Sequence, residues 1–301
     1  MIHIVLHGRL GNQMFEYATA YKLAKESNQR ICLIEIYDKN RLSSFAMGNT
    51  VAVKHKMASF FIRIFISVYE RILRVWFRVK KFPVTDIHKA RYEIESKMIP
   101  VLSQRGLYLL RNGYVNLGKC TTKNALLYGY FQSEKYFSEY KAELLKAFSL
   151  EEHIDPIIRS EMDSLKKRNL VCLHIRLGDY VKNPIHEVCT TEYYQQAINK
   201  IISLTEDPVF YIFSDEIEKV KNRFDFHGKE IIVENGTKCD FEVLYCMKNC
   251  NHFIISNSSF SWWAQYLCEN KDKIVISPDR WTNMEGPFDD IAQESWIRIS
   301  V

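Results

Sequence analysis

VCLHIRLGDYV, Val171 to Val181, begins as an apolar run of the length and composition of a buried β-strand and then delivers His174, Arg176 and Asp179 in quick succession. Charge at the end of a core strand needs a partner, either within the protein or in a ligand. The pattern around this stretch says where that strand lies. From about residue 169 onward, LVCLHIR, VFYIFSD, EIIVEN, HFIISN and KIVISP alternate with amphipathic stretches such as TEYYQQAINKIISL and DFEVLYCMKNC. Short β-branched runs alternating with helical periods predict a parallel, doubly wound sheet, so the C-terminal half reads as a Rossmann-like domain. Ligands of such sheets lie beyond the carboxyl ends of the strands, near the switch in strand order. The residues at those ends are His174, Arg176 and Asp179, then Ser214 and Asp215, Asn235, and finally Asn257, Ser258 and Ser259. This polar, hydroxylated set suits a sugar nucleotide better than an apolar ligand.

The N-terminal half opens with IHIVL, the turn GRLGNQ and the helical MFEYATAYKLAKES, a second strand–turn–helix unit. The expected architecture is α/β: two Rossmann-like domains facing a cleft. Residues 1–155 form the first domain, with a basic amphipathic helical insertion around 54–81, and 156–301 the second. Composition narrows the function classes. A net charge of +5 over 301 residues gives no dispersed nucleic-acid footprint. The eight cysteines show no Cys-x-x-Cys pair and read as reduced core thiols. With a first segment unlike a signal peptide, they predict a cytoplasmic protein. No Asp-x-Asp, G-x-S-x-G, H-E-x-x-H or G-x-G-x-x-G occurs. Metal–diphosphate clamps, hydrolase sites and dinucleotide oxidoreductases therefore lose ground.

Each motif admits a structural and a functional reading. In HGRLGNQ, Gly8 and Gly11 permit close backbone approach, and Asn12 and Gln13 offer donors where a helix begins; this is an anion site or simply a tight turn. Arg176 can hold two oxygens of a diphosphate in its planar fork, or pair with Asp179. His174 is a ligand contact or a satisfied core histidine. Ser258 and Ser259 stand where a strand gives way to a helix, as phosphate donors or an N-cap. Trp262 and Trp263 stack on a ring or fill the core.

Taken together, GRLGNQMFEYA, GYFQSEKYF, HIRLGDYV, FSD and ISNSSFSWWAQYL, in this order and spacing, resemble the bacterial α-1,2-fucosyltransferases. That resemblance implies transfer of L-fucose from GDP-fucose to the 2-hydroxyl of a terminal galactose with inversion, on a GT-B-type fold and without an essential metal or other cofactor. It implies that Arg176 contacts the diphosphate and stabilises the departing GDP, that His174 and Asp240 help hold the guanosine, and that Ser258 and Ser259 bind phosphate. Asn257 and Gly11 fall in the same motifs, and Asn12 is expected to reach into the cleft. The family pattern carries two adjacent arginines, whereas here the second is Leu177. The missing cation is either lost or supplied by Arg9 or Lys182.

Inversion ordinarily needs a base for the acceptor hydroxyl. Asp179 and His186 rank first, with Glu16 and Glu187 behind them. The unmatched region from about 40 to 120 holds all of the excess positive charge: eight Lys or Arg against Glu70 alone between Lys54 and Lys81, a net of +7. At roughly 100° per residue, Arg63, Arg71, Arg74, Arg78 and Lys81 share a helix face. This helix either lies on the anionic inner membrane, near a galactose-terminated oligosaccharide or lipid-linked glycan acceptor, or packs its apolar side on the domain beneath a solvated basic stripe.

Overall fold

The structure is a computed structural model that describes residues 1–45, 47, 51–52, 56–178, 183–220 and 223–301. The chain divides into two compact units, Met1–Phe148 with Met284–Ile291, and Ser149–Asn283 with Ala292–Val301. The return of 284–291 to the first unit has no counterpart in the 1–155 and 156–301 division read from the sequence. That segment carries Lys135 and Lys89 partners, Asp290 and Glu285, which no local pattern announces.

The first unit comprises β1 (Ile2–Val5), α1 (Leu10–Glu26), β2 (Ile31–Ile34), β3 (Val51–Ala52), α2 (Lys56–Val79), α3 (Ile87–Leu102), β4 (Leu107–Leu109), β5 (Ala125–Tyr128) and α4 (Lys141–Ala147). Its five strands run in the order β3-β2-β1-β5-β4, and every pairing is parallel. IHIV and ICLI are nearly continuous apolar runs because both faces of a parallel sheet are covered. The seam between α2 and α3 is polar at its centre. Arg91 binds both carboxylate oxygens of Glu70 (2.7 and 3.1 Å) and, through Nε, Glu95 (2.7 Å). Tyr128 donates to Glu70 and Tyr69 to Glu95. The one acid of the basic segment is thus turned inward.

The second unit comprises α5 (Pro156–Leu165), β6 (Leu170–Ile175), α6 (Thr191–Leu204), β7 (Val209–Ser214), β8 (Ile231–Val233), α7 (Asp240–Lys248), β9 (His252–Ile254), α8 (Ser259–Leu267), β10 (Val275–Pro278) and β11 (Ile297–Ile299). The order is β11-β10-β9-β6-β7-β8, all parallel. Counted from β6, this is the 3-2-1-4-5-6 order of a Rossmann sheet, with its switch point between β6 and β9. Val171–Ile175 therefore lie in the first strand of the sheet, and Arg176 follows at the ligand-binding end. Trp262 and Trp263 are fully buried and cluster with Tyr266, the core reading of that pair.

Candidate functional site

At the switch point, β6 and β9 end side by side. His174, the penultimate residue of β6, is 5% exposed, and its Nδ1 lies 3.0 Å from the hydroxyl of Ser256, just past β9. Burial, reinforced by the neighbouring Arg176 charge, pushes the imidazole down to about 3. The ring is therefore neutral at any ordinary pH. A serine hydroxyl that donates to Nδ1 leaves the hydrogen on Nε2, the form that can donate to a phosphate or ribose oxygen.

Arg176 follows β6 directly, and its guanidinium Nη1 is 3.3 Å from Asp215 Oδ2. Asp215 stands one residue past β7, and its carboxylate also accepts the backbone N–H groups of Leu177 (2.9 Å) and Gly178 (3.2 Å). One side chain thus fixes both the turn that carries Arg176 and the guanidinium itself. Gly178 suits this close approach: a Cβ there would sit 2.8 Å from Asp215 Oδ2, which would have to shift. Asp215 also lines a cavity of about 430 Å³ with Glu216, Ile217, Glu218, Val233 and Asn235, at the carboxyl ends of β7 and β8. Its carboxylates and the Asn235 side chain offer acceptors to the N–H and O–H groups of a polar ligand.

Other sequence-selected residues have structural roles that the sequence left open. Ser258 caps α8, its hydroxyl accepting from the Phe260 N–H (3.3 Å), while Ser259 opens the helix at a half-buried position. Asn257 is a clasp: its amide donates to the carbonyls of His186 (3.0 Å) and Trp281 (3.1 Å), and its oxygen accepts from Cys189. His186 is exposed, in the loop that Asn257 holds. Asp240 is exposed in the first turn of α7; the Cys239 N–H before it is taken by Glu242 (2.8 Å), so Asp240 is not the cap. Asp179 and Lys182 lie outside the described residues. Ser256 and the triple role of Asp215 were not read from sequence; the signal for Asp215 was its place at a strand end.

The first unit carries its own constellation at the ends of β1 and β5. Gly8, at φ +68°, leaves no room for a side chain beside Asn12, and its N–H donates to Asp38 (2.7 Å). Asn12 Oδ1 accepts from Gln132 (2.9 Å), and Gly11 is buried in the first turn of α1. Gln13 is fully buried, its amide taken up by the carbonyls of Gly8 and Lys39 and the N–H of Arg41, so it is a loop brace and not a ligand donor. Beneath them, Glu16 accepts the His7 backbone N–H and meets its ring at 3.2 Å. Burial pushes the Glu16 carboxyl up and the His7 imidazole down to about 4. Arg111 binds the Tyr130 hydroxyl (3.0 Å) and stacks over its ring. Among the described residues, no group of three or more His, Cys, Asp or Glu is placed to hold a metal ion.

The sequence matches glycosyl transferase family 11 over residues 1–300. It is 27% identical to the O-antigen biosynthesis glycosyltransferase WbnK of Escherichia coli, covering 98% of this chain and 99% of that one. It is 31% identical to an Escherichia coli alpha-1,2-colitosyltransferase, with 98% and 97% covered. The rabbit (Oryctolagus cuniculus) galactoside alpha-(1,2)-fucosyltransferase 2 is 26% identical over 93% of this chain and 70% of its own length. Among solved structures, the fucosyltransferase NodZ from Bradyrhizobium superposes with a TM-score of 0.49 at 11% identity, covering 88% of this chain and 91% of that one.

Proposed function

The chain belongs to glycosyl transferase family 11, and from that premise we propose that it transfers L-fucose from GDP-fucose to the 2-hydroxyl of a terminal galactose on a glycan, with inversion and without a metal ion. The observation that carries the reading is Arg176, held by Asp215 at the switch point of a Rossmann sheet, beside a neutral His174. Breaking the bond between the anomeric carbon and the β-phosphate oxygen leaves negative charge on GDP and oxocarbenium character on the sugar. A preorganised guanidinium at that phosphate lowers the barrier without a metal ion. His174 and Asp240 are assigned to the guanosine, Ser258 and Ser259 to phosphate. The motif around Asn257 completes that pocket, and Gly11 and Asn12 serve the acceptor side. Proton removal from the galactose hydroxyl falls to Asp179 or His186, which D179N and H186Q would separate.

Arg176→Ala tests the assignment. A cost of about 10²–10³ in kcat is expected, in line with the loss of one charge-stabilising donor. The assay is GDP release from GDP-fucose on lactose, with EDTA present. Near-normal turnover in a folded R176A protein would remove the assignment, and loss of wild-type turnover in EDTA would remove metal independence.

A second donor has specific support. The 31% identity to an alpha-1,2-colitosyltransferase favours GDP-colitose, whose sugar is L-fucose without its 3-hydroxyl, as the competing substrate. Parallel kcat/KM values for the two donors decide between them. No helix of the described residues is long and apolar enough to cross a membrane. We read the chain as cytoplasmic, in peripheral contact with the anionic inner leaflet, where lipid-linked acceptors are displayed.

A further inference from the structure

Sugar transfer leaves the outer side of α2 without a role. At about 100° per residue, the helix sorts into three arcs. One faces inward: Ile66 packs with Val5, Ile34 and Leu109 of the sheet, and Leu73 and Phe77 with Ala90 of α3. The next carries Arg63, Arg74, Arg78 and Arg71, all exposed. The third is apolar and open to solvent: Phe61 is 64% exposed, Ile64 45%, Val68 52%, Ile72 61%, Val75 53% and Val79 72%. Single exposed aliphatic residues are ordinary, but a continuous stripe along a helix of 24 residues, about 36 Å long, is a contact surface. The sequence pattern showed the basic face; it could not show that burial consumes only one of two apolar faces.

We infer that this stripe docks α2 onto an anionic phospholipid surface, the helix lying in the interface with its apolar arc among the acyl chains and its arginines at the headgroup phosphates. Charge selects the occupant. The only acid of the segment, Glu70, is bound to Arg91 on the inward side, so the exposed rim of the stripe is cationic. A second copy of the chain would bring a like-charged rim to the contact, whereas an anionic leaflet satisfies the apolar arc and the cations together. The inference rests on the reading of the chain as a transferase whose acceptor is membrane-borne, and it names the face that meets the membrane.

The test uses the full chain with vesicles of phosphatidylcholine alone, or of phosphatidylcholine containing about one quarter phosphatidylglycerol. Co-sedimentation with the anionic vesicles is expected, with a blue shift of Trp76 emission that is absent in W76F. Added salt should weaken binding but leave an apolar remainder. V68E/I72E should lower the partition coefficient by at least about tenfold, the factor for burying one aliphatic side chain. Because Val68 and Ile72 are exposed, this variant should keep its circular dichroism and its transfer to soluble lactose. Absence of vesicle binding, or binding indifferent to V68E/I72E, overturns the inference. So does a dimer that V68E/I72E disperses in a protein that ignores vesicles. Vesicle binding without transfer to any soluble or lipid-linked galactoside would leave this inference standing and overturn the enzymatic reading instead.

Discussion

Asp215→Asn is the perturbation that most directly probes how the site is built. The carboxylate joins three groups: the Leu177 N–H at 2.9 Å, the Gly178 N–H at 3.2 Å and Arg176 Nη1 at 3.3 Å. Asparagine keeps the shape and one acceptor, enough for Leu177, but places an amide N–H₂ where both Gly178 and Arg176 meet the second oxygen. The stability cost is modest, because the ion pair is partly solvated, with side chains 15% and 25% exposed; about 1 kcal/mol is expected. The catalytic cost is larger, since a guanidinium that must first be aligned loses preorganisation. A drop of about 10- to 100-fold in kcat/KM corresponds to ~1.4–2.8 kcal/mol of lost transition-state stabilisation. Most of that should fall in kcat, because the orientation matters when charge develops on the leaving phosphate. GDP release under saturating acceptor measures it, and a double-mutant cycle with R176A identifies the route. If Asp215 acts through Arg176, D215N should cost almost nothing further in the R176A background. An unchanged kcat/KM in D215N refutes the reasoning, as does a full additional loss in the double mutant, which would give Asp215 an independent contact with the nucleotide.

Two further expectations concern stability. Burial holds His174 at about 3, whereas the unfolded chain titrates near 6.5. The unfolded state therefore binds the extra proton between those values; the contribution is complete above about pH 6.5 and is lost as pH falls, roughly 2 kcal/mol between pH 7 and 5. Urea unfolding at both pH values should show this loss shrinking by that amount in H174Q, and an identical loss in the two proteins would exclude a neutral buried His174. Arg91→Met should destabilise the first unit by about 3–5 kcal/mol, because it strands the paired carboxylates of Glu70 and Glu95. A change under about 1 kcal/mol in urea unfolding would mean that apolar contacts alone hold the seam between α2 and α3.

The C-terminal sheet was legible because its strands are buried on both faces and separated by helices of ordinary length, so each run of β-branched residues stands out against its flanks. The carboxyl ends of those strands then located Arg176, His174 and Ser258 without any long-range knowledge. What sequence could not supply were roles decided by side chains far apart in the chain. Gln13 looked like a donor for a ligand yet braces a loop at Lys39 and Arg41, and Asn257 also holds the loop carbonyls of His186 and Trp281, roles no local pattern shows. Strands β3, β4 and β11 are two or three residues long, too short for a period to show. The arc structure of α2 was half visible: periodicity gives the faces of a helix, and only tertiary packing says which of them is covered.

Leu177 shows how a departure from a family pattern resolves in three dimensions. Where the pattern carries a second arginine, this side chain is 8% exposed and joins the core formed by Val171, Leu173 and Tyr194. Its contribution to the site is made by the backbone, whose N–H donates to Asp215. That position therefore does not offer a second cation from a different rotamer; it converts a charged residue into a structural pin for the turn. On the proposed reading, catalysis then leans on Arg176 and on the carboxylate that aligns it. A guanidinium stabilises a departing diphosphate best when it is held in place, and the three contacts of Asp215, together with its close approach to Gly178, supply that restraint.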